Sequence, residues 1–215
     1  MDEHTHPPAE GAEELRPNDV RRMDMETLVS YLWRNAARWM RQQRDRHWDD
    51  AEPLPDITRA ALKGYFEPET LARTRIRRVP IIENPAFYTA FDEAGETIPL
   101  DFRVWAAITF GDLILLSDAQ VPGPPPHSVI FHEMVHVVQF GALGIDAFAE
   151  KYVRGLAQNR FNYMAIPLET VAFDLQGRFE ASAGRRFAAE SEVLAELDPE
   201  DPPGERGGES LNRRR

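Results

Sequence analysis

The residues best suited to chemistry lie in one pentapeptide, His132-Glu133-Met134-Val135-His136, the pattern His-Glu-x-x-His. On an α-helix a four-residue step turns about 400° and rises about 6 Å, so both imidazoles leave the same face one turn apart. Nitrogens placed in this way can converge on one zinc ion at about 2.0–2.1 Å each. Glu133 sits about 100° further around the helix, where its carboxylate can reach a water on the metal without itself becoming a ligand. The expected roles are therefore His132 and His136 as zinc ligands and Glu133 as the general base that takes a proton from a zinc-bound water. Val129, Ile130, Phe131, Val135 and Val138 make this helix strongly apolar. Two histidines and a glutamate buried in such a helix would be costly without partners.

A catalytic zinc site needs a third protein ligand. The third histidine of the metzincin pattern is absent, and no histidine follows His136. The third ligand is thus expected to be a carboxylate, drawn from Asp146, Glu150, Glu169, Asp174 and Glu180. Glu169 is preferred. It lies early on a long helical stretch in the pattern Glu-x-x-Ala, and the small Ala172 one turn on lets two helices approach closely around a metal. Tyr163, Tyr152 and Arg160, between the two ligand segments, are candidate donors to an oxyanion, with Tyr163 favoured. Gln139 is placed to support His136 from behind.

The elements that must position these groups are readable in outline. Residues 1–18 form an acidic, Pro-containing tail, and its His4 and His6 carry no assigned role. Apolar spacing predicts a helix from about 19 to 47, with Arg34, Arg38, Arg41 and Arg44 on a solvated face. A short helix capped by Asp56 runs to Leu62 and stops at Gly64, and another turn or two follows Pro68. Arg75–Ile82 reads as a strand, and residues 103–117 as a β-hairpin turning at Gly111-Asp112 in a type II′ geometry. After the Pro-rich loop 122–126 come helices at about 127–143, 146–158 and 167–190. From Asp198 the chain reads as a disordered tail. Helices, a few strands and then helices make an α+β fold, mainly helical, with a small sheet beside the histidine helix. The domain reading is a tail (1–18), an N-terminal helical segment (19–55), a metallopeptidase-like domain (56–197) and a tail (198–215).

Composition narrows the function classes. Of 215 residues 42% are hydrophobic, ordinary for a globular chain. With 25 Lys and Arg against 36 Asp and Glu, the net charge of −11 argues against nucleic-acid or anionic-membrane binding. No apolar run approaches the ~18 residues that would span a bilayer, and no secretory h-region is evident, so the expected location is cytoplasmic. The absence of cysteine removes disulfides and thiolate metal sites.

His132-Glu133-x-x-His136 with Glu169-x-x-Ala172 downstream resembles the gluzincins, zincin-fold metallopeptidases with two helical histidine ligands and a glutamate on a later helix. By size and element order the chain looks most like small single-domain metallopeptidases and minigluzincins, over about residues 60–190. The resemblance implies His132, His136 and Glu169 as zinc ligands, Glu133 as general base, and hydrolysis of a peptide or protein substrate. It also implies that the 103–117 segment is the sheet edge beside the metal, where an extended peptide could pair. The competing expectation is a catalytically silent zincin-fold protein that works as a binding module or scaffold.

Overall fold

The structure is a computed structural model and describes residues 16–197. The expected tails 1–18 and 198–215 lie outside it, except for residues 16–18. It is an α+β arrangement of helices around a small four-stranded sheet. The chain opens with a short helix α1 (Pro17–Val20) and a long helix α2 (Met25–Trp48). The sequence suggested one helix from about 19; Asp24 divides it, because its side chain accepts the Thr27 N–H and starts a new helix there. The arginines of α2 are less free than a solvated face would leave them. Arg41 pairs with Asp146, Arg44 with Asp112 and Arg46 with Glu83, so they tie α2 to other elements.

Strand β1 (Glu52–Pro53) follows, then helices α3 (Asp56–Leu62) and α4 (Pro68–Arg73), then strand β2 (Arg75–Val79). Asp56 pairs with Arg59 instead of capping α3. The two-residue β1 and the helix α5 (Tyr88–Ala94) were not legible in the sequence. A 3-10 turn at Phe102–Val104 replaces the first part of the expected hairpin. Strands β3 (Ala107–Phe110) and β4 (Leu113–Ser117) then pair antiparallel around Gly111-Asp112, with Gly111 at φ 70°. The strand order is β1-β2-β4-β3, with β2 and β4 parallel, so β3 is an edge strand.

The sheet is packed on both faces. Ala107, Ile114 and Leu116 meet Ile130, Phe131, Met134 and Val138 of the next helix, α6 (His127–Gln158). Phe110, Leu113 and Leu115 face the other way and share a cluster with Trp39 of α2. This explains why β4 is buried at every position and reads as a continuous apolar run. By length and composition α6 could cross a membrane, but 61% of its apolar stretch is buried inside the fold, which accounts for that composition. It is broken at Gly144, whose φ of 72° and ψ of 167° are not helical, so its two arms correspond to the two helices expected at 127–143 and 146–158.

Helix α7 (Pro167–Ala181) packs along α6. It ends well before residue 190, because Ala183 and Gly184 both take positive φ and turn the chain back. A further helix, α8 (Ala189–Leu197), follows the turn and buries Ala189 and Val193 in the α6 core.

Candidate metal centre

Helix α6 delivers His132, Glu133 and His136 from one turn, and the first turn of α7 delivers Glu169. All four side chains are buried. The two imidazole Nε2 atoms lie 3.2 Å apart, and Glu169 Oε2 lies 3.3 Å from that of His132 and 3.4 Å from that of His136. Three ligand-type atoms thus converge on one point, and the group could hold a metal ion. The other carboxylates weighed for the third position are elsewhere. Asp146 pairs with Arg41, Glu150 with Arg154, Asp174 is exposed, and Glu180 sits about three turns further along α7.

Hydrogen bonds behind the imidazoles fix which nitrogen is free. His136 Nδ1 faces Gln139 Oε1 at 2.8 Å, and the Gln139 amide nitrogen donates to the Leu168 carbonyl at 3.0 Å. His132 Nδ1 faces Gln176 Oε1 at 3.0 Å, and the Gln176 nitrogen donates to Glu180 Oε1 at 3.1 Å. Each glutamine therefore presents its carbonyl to a ring, so each Nδ1 carries the proton and each Nε2 lone pair points inward. Two inward lone pairs beside a carboxylate make a donor set that could hold a cation. Burial pushes the His136 imidazole down, but the Glu169 carboxylate and the Glu133 charge outweigh it and raise the group to about 9. Burial likewise pushes Glu169 up, and the two imidazoles more than reverse this, holding it well below the ordinary carboxylate range.

Glu169 is gripped at both oxygens. Tyr152 donates to Oε1 and Tyr163 to Oε2, each at 2.9 Å. Burial, and then the neighbouring carboxylate, drive both phenols well above their usual value, so both remain O–H donors. Tyr163 comes from a 3-10 turn entered through Arg160 and Phe161, at φ 56° and 61°. Arg160 itself is exposed and does not line the centre. Glu133 is oriented by the edge strand, whose Thr109 hydroxyl donates to Oε2 at 2.7 Å. Thr109 and Gln176 were not singled out in the sequence, since both act from elements remote along the chain.

These groups line a cavity of about 60 Å³. Its wall also includes Trp39 and Met40 of α2, Phe102, Trp105 and Phe148. Trp105 and Tyr163 pack against each other with ring centroids 4.9 Å apart. The space suits a few water molecules rather than a peptide. Comparison with known family models, curated proteins and solved structures finds no match to this chain.

Proposed function

We propose that this chain is a zinc-dependent peptidase of gluzincin type, with His132, His136 and Glu169 holding the metal and Glu133 as general base. The observation that carries the reading is the convergence of three nitrogen and oxygen donors beside a fourth, non-ligating carboxylate. Two corners of a tetrahedron around an ion held at about 2.0–2.1 Å lie about 3.3–3.4 Å apart. The donor separations of 3.2, 3.3 and 3.4 Å fit that figure, and the mix of two imidazoles with one carboxylate suits zinc. Bound there, zinc would supply Lewis acidity, acidifying water and polarising a carbonyl. Glu133 accepts a proton at the oxygen that Thr109 leaves free, and its burial keeps that carboxylate out of competition with bulk solvent. The β3 edge beside Glu133 is where an extended substrate would pair by main-chain hydrogen bonds. Its entry requires the aromatic side chains around Trp105 to move, because a cavity of about 60 Å³ has no room for it.

Two measurements on one set of variants test the reading. The native chain should carry one zinc, lost in His132→Ala and in Glu169→Ala. Glu133→Gln should keep the zinc and lose cleavage of an unfolded protein substrate, by about 10²-fold or more. Undiminished cleavage by Glu133→Gln would remove its assigned role. The small volume of the cavity favours a second reading, a zincin-type binding or scaffold protein without turnover. That reading expects zinc, no cleavage of any unfolded substrate, and partner binding indifferent to Glu133→Gln.

A further inference from the structure

The two glutamines behind the imidazoles do more than fill space. Gln139 stands on α6, three residues after His136, and reaches across to the Leu168 carbonyl at the start of α7. Gln176 stands on α7, two turns beyond Glu169, and reaches across to His132 on α6. Each ligand helix thus sends one amide to the other, and each amide ends on, or braces, an imidazole that faces the metal point. Behind Gln176 the chain of bonds continues to Glu180, which also accepts from Ser128 at the start of α6 and is held below its ordinary carboxylate value by these two hydrogen bonds, that from Gln176 first. Phe173, between Glu169 and Gln176 on α7, lies against the His132 ring at 4.5 Å and closes the remaining side.

We infer that Gln139 and Gln176 are positioning residues that set both histidines with Nδ1 protonated and Nε2 free, so that the metal point is formed by the packing of α6 on α7. These roles presuppose the proposed metal site. The supports are neutral amides oriented from behind, Gln139 by a backbone carbonyl and Gln176 by a carboxylate. A carboxylate in direct contact with Nδ1 would make the ring a stronger donor; an amide fixes the same tautomer without adding charge to the site. The sequence signature is correspondingly longer than the pentapeptide: His132-Glu-x-x-His136-x-x-Gln139, then Glu169-x-x-Ala-Phe-x-x-Gln176.

The test is zinc affinity, measured by competition with a chromophoric chelator on the full chain, together with the visible spectrum of the cobalt-loaded protein. Gln176→Leu removes the acceptor and keeps the bulk; it should weaken zinc binding about 10–100-fold and alter the cobalt bands. Gln176→Glu keeps the acceptor but gives up the donor to Glu180, so it should weaken zinc binding less than Gln176→Leu does. A role confined to helix packing would move the thermal midpoint of the metal-free protein and leave the order of Leu and Glu variants unrelated to acceptor chemistry. Native affinity and an unchanged cobalt spectrum in Gln176→Leu would overturn the inference while leaving the zinc site intact. If Gln176→Leu proves too unstable to purify, Gln139→Leu and Gln139→Glu provide the same comparison at His136. A native chain that binds neither zinc nor cobalt would overturn both this inference and the proposed function.

Discussion

At the scale of single residues, Glu169 is the most constrained group of the centre: two phenols donate to its oxygens while Oε2 also faces both imidazoles. His132, Glu133 and His136 could be placed relative to one another because helix pitch alone does so, and the structure sets them around one cavity. Glu169 was chosen from five carboxylates by the small residue one turn after it, and Ala172 is indeed fully buried against the core of α6. Tyr152 and Tyr163 were singled out as possible oxyanion donors; in the structure their hydroxyls are given to Glu169. Thr109 left no trace in the sequence, because a lone threonine in a β-strand has the same signature whether it touches a carboxylate or nothing. The grip on Glu169 yields a prediction. Removing the Tyr152 hydroxyl leaves a deeply buried carboxylate oxygen without its donor, and water has little access to replace it. Tyr152→Phe should therefore cost the metal-free protein about 1.5–3 kcal/mol in urea denaturation. Tyr163→Phe should cost less, since Tyr163 is only half-buried at the cavity wall. Equal effects would mean that the two oxygens are equally open to solvent.

Elements were read well where periodicity and punctuation agreed. The helix at Pro68–Arg73, the hairpin around Gly111-Asp112 and the two arms of α6 all stand where apolar spacing and Gly or Pro placed them. The errors have separate physical origins. The expected helix 167–190 ran past Gly184, a weak helix former; α7 stops at Ala181, where Ala183 and Gly184 take positive φ and Phe187 reaches the Tyr65 and Phe131 rings. The two-residue β1 has too little sequence to carry a strand pattern and is set by its pairing with β2. Two glycines of these helices should respond in opposite directions to the same substitution. Neither has any atom within 4 Å of an added Cβ, so only the backbone decides. Gly144 occupies a region open essentially to glycine, and Gly144→Ala should destabilise by about 1–3 kcal/mol. Gly177 lies in regular helix on the exposed side of α7, and Gly177→Ala should stabilise by about 0.5–1 kcal/mol. Thermal and urea unfolding of the two variants would read both signs. A neutral Gly144→Ala would show that the two arms can join without the break.

At the scale of the whole molecule, the cavity draws its walls from α2, the turn before β3, β3 itself, both arms of α6, the loop after it and α7. The wall that local pattern did not announce is α2, with Trp39 and Met40, because which remote elements meet is a matter of topology rather than of spacing. Burial of the three donors would make exchange of a bound ion slow, and Trp105, half-buried and resting on Tyr163, forms part of the wall beside them. Trp105→Ala should therefore speed the loss of zinc to an external chelator by about tenfold or more without changing how many ions are held, since it opens the wall and touches no ligand. Identical stripping rates would place the exit elsewhere. The same distribution of walls along the chain sets a timetable for biogenesis. Trp39, Trp105, the two histidines and Tyr163 leave the ribosome in that order, and Glu169 and Gln176 follow all of them. Until α7 is made, the nascent helix offers two imidazoles without a third ligand, and Trp39 has no completed surface to cover. If these residues hold a metal as proposed, its capture would wait for a nearly complete fold, and the half-built chain would be kept from retaining whichever metal it met first.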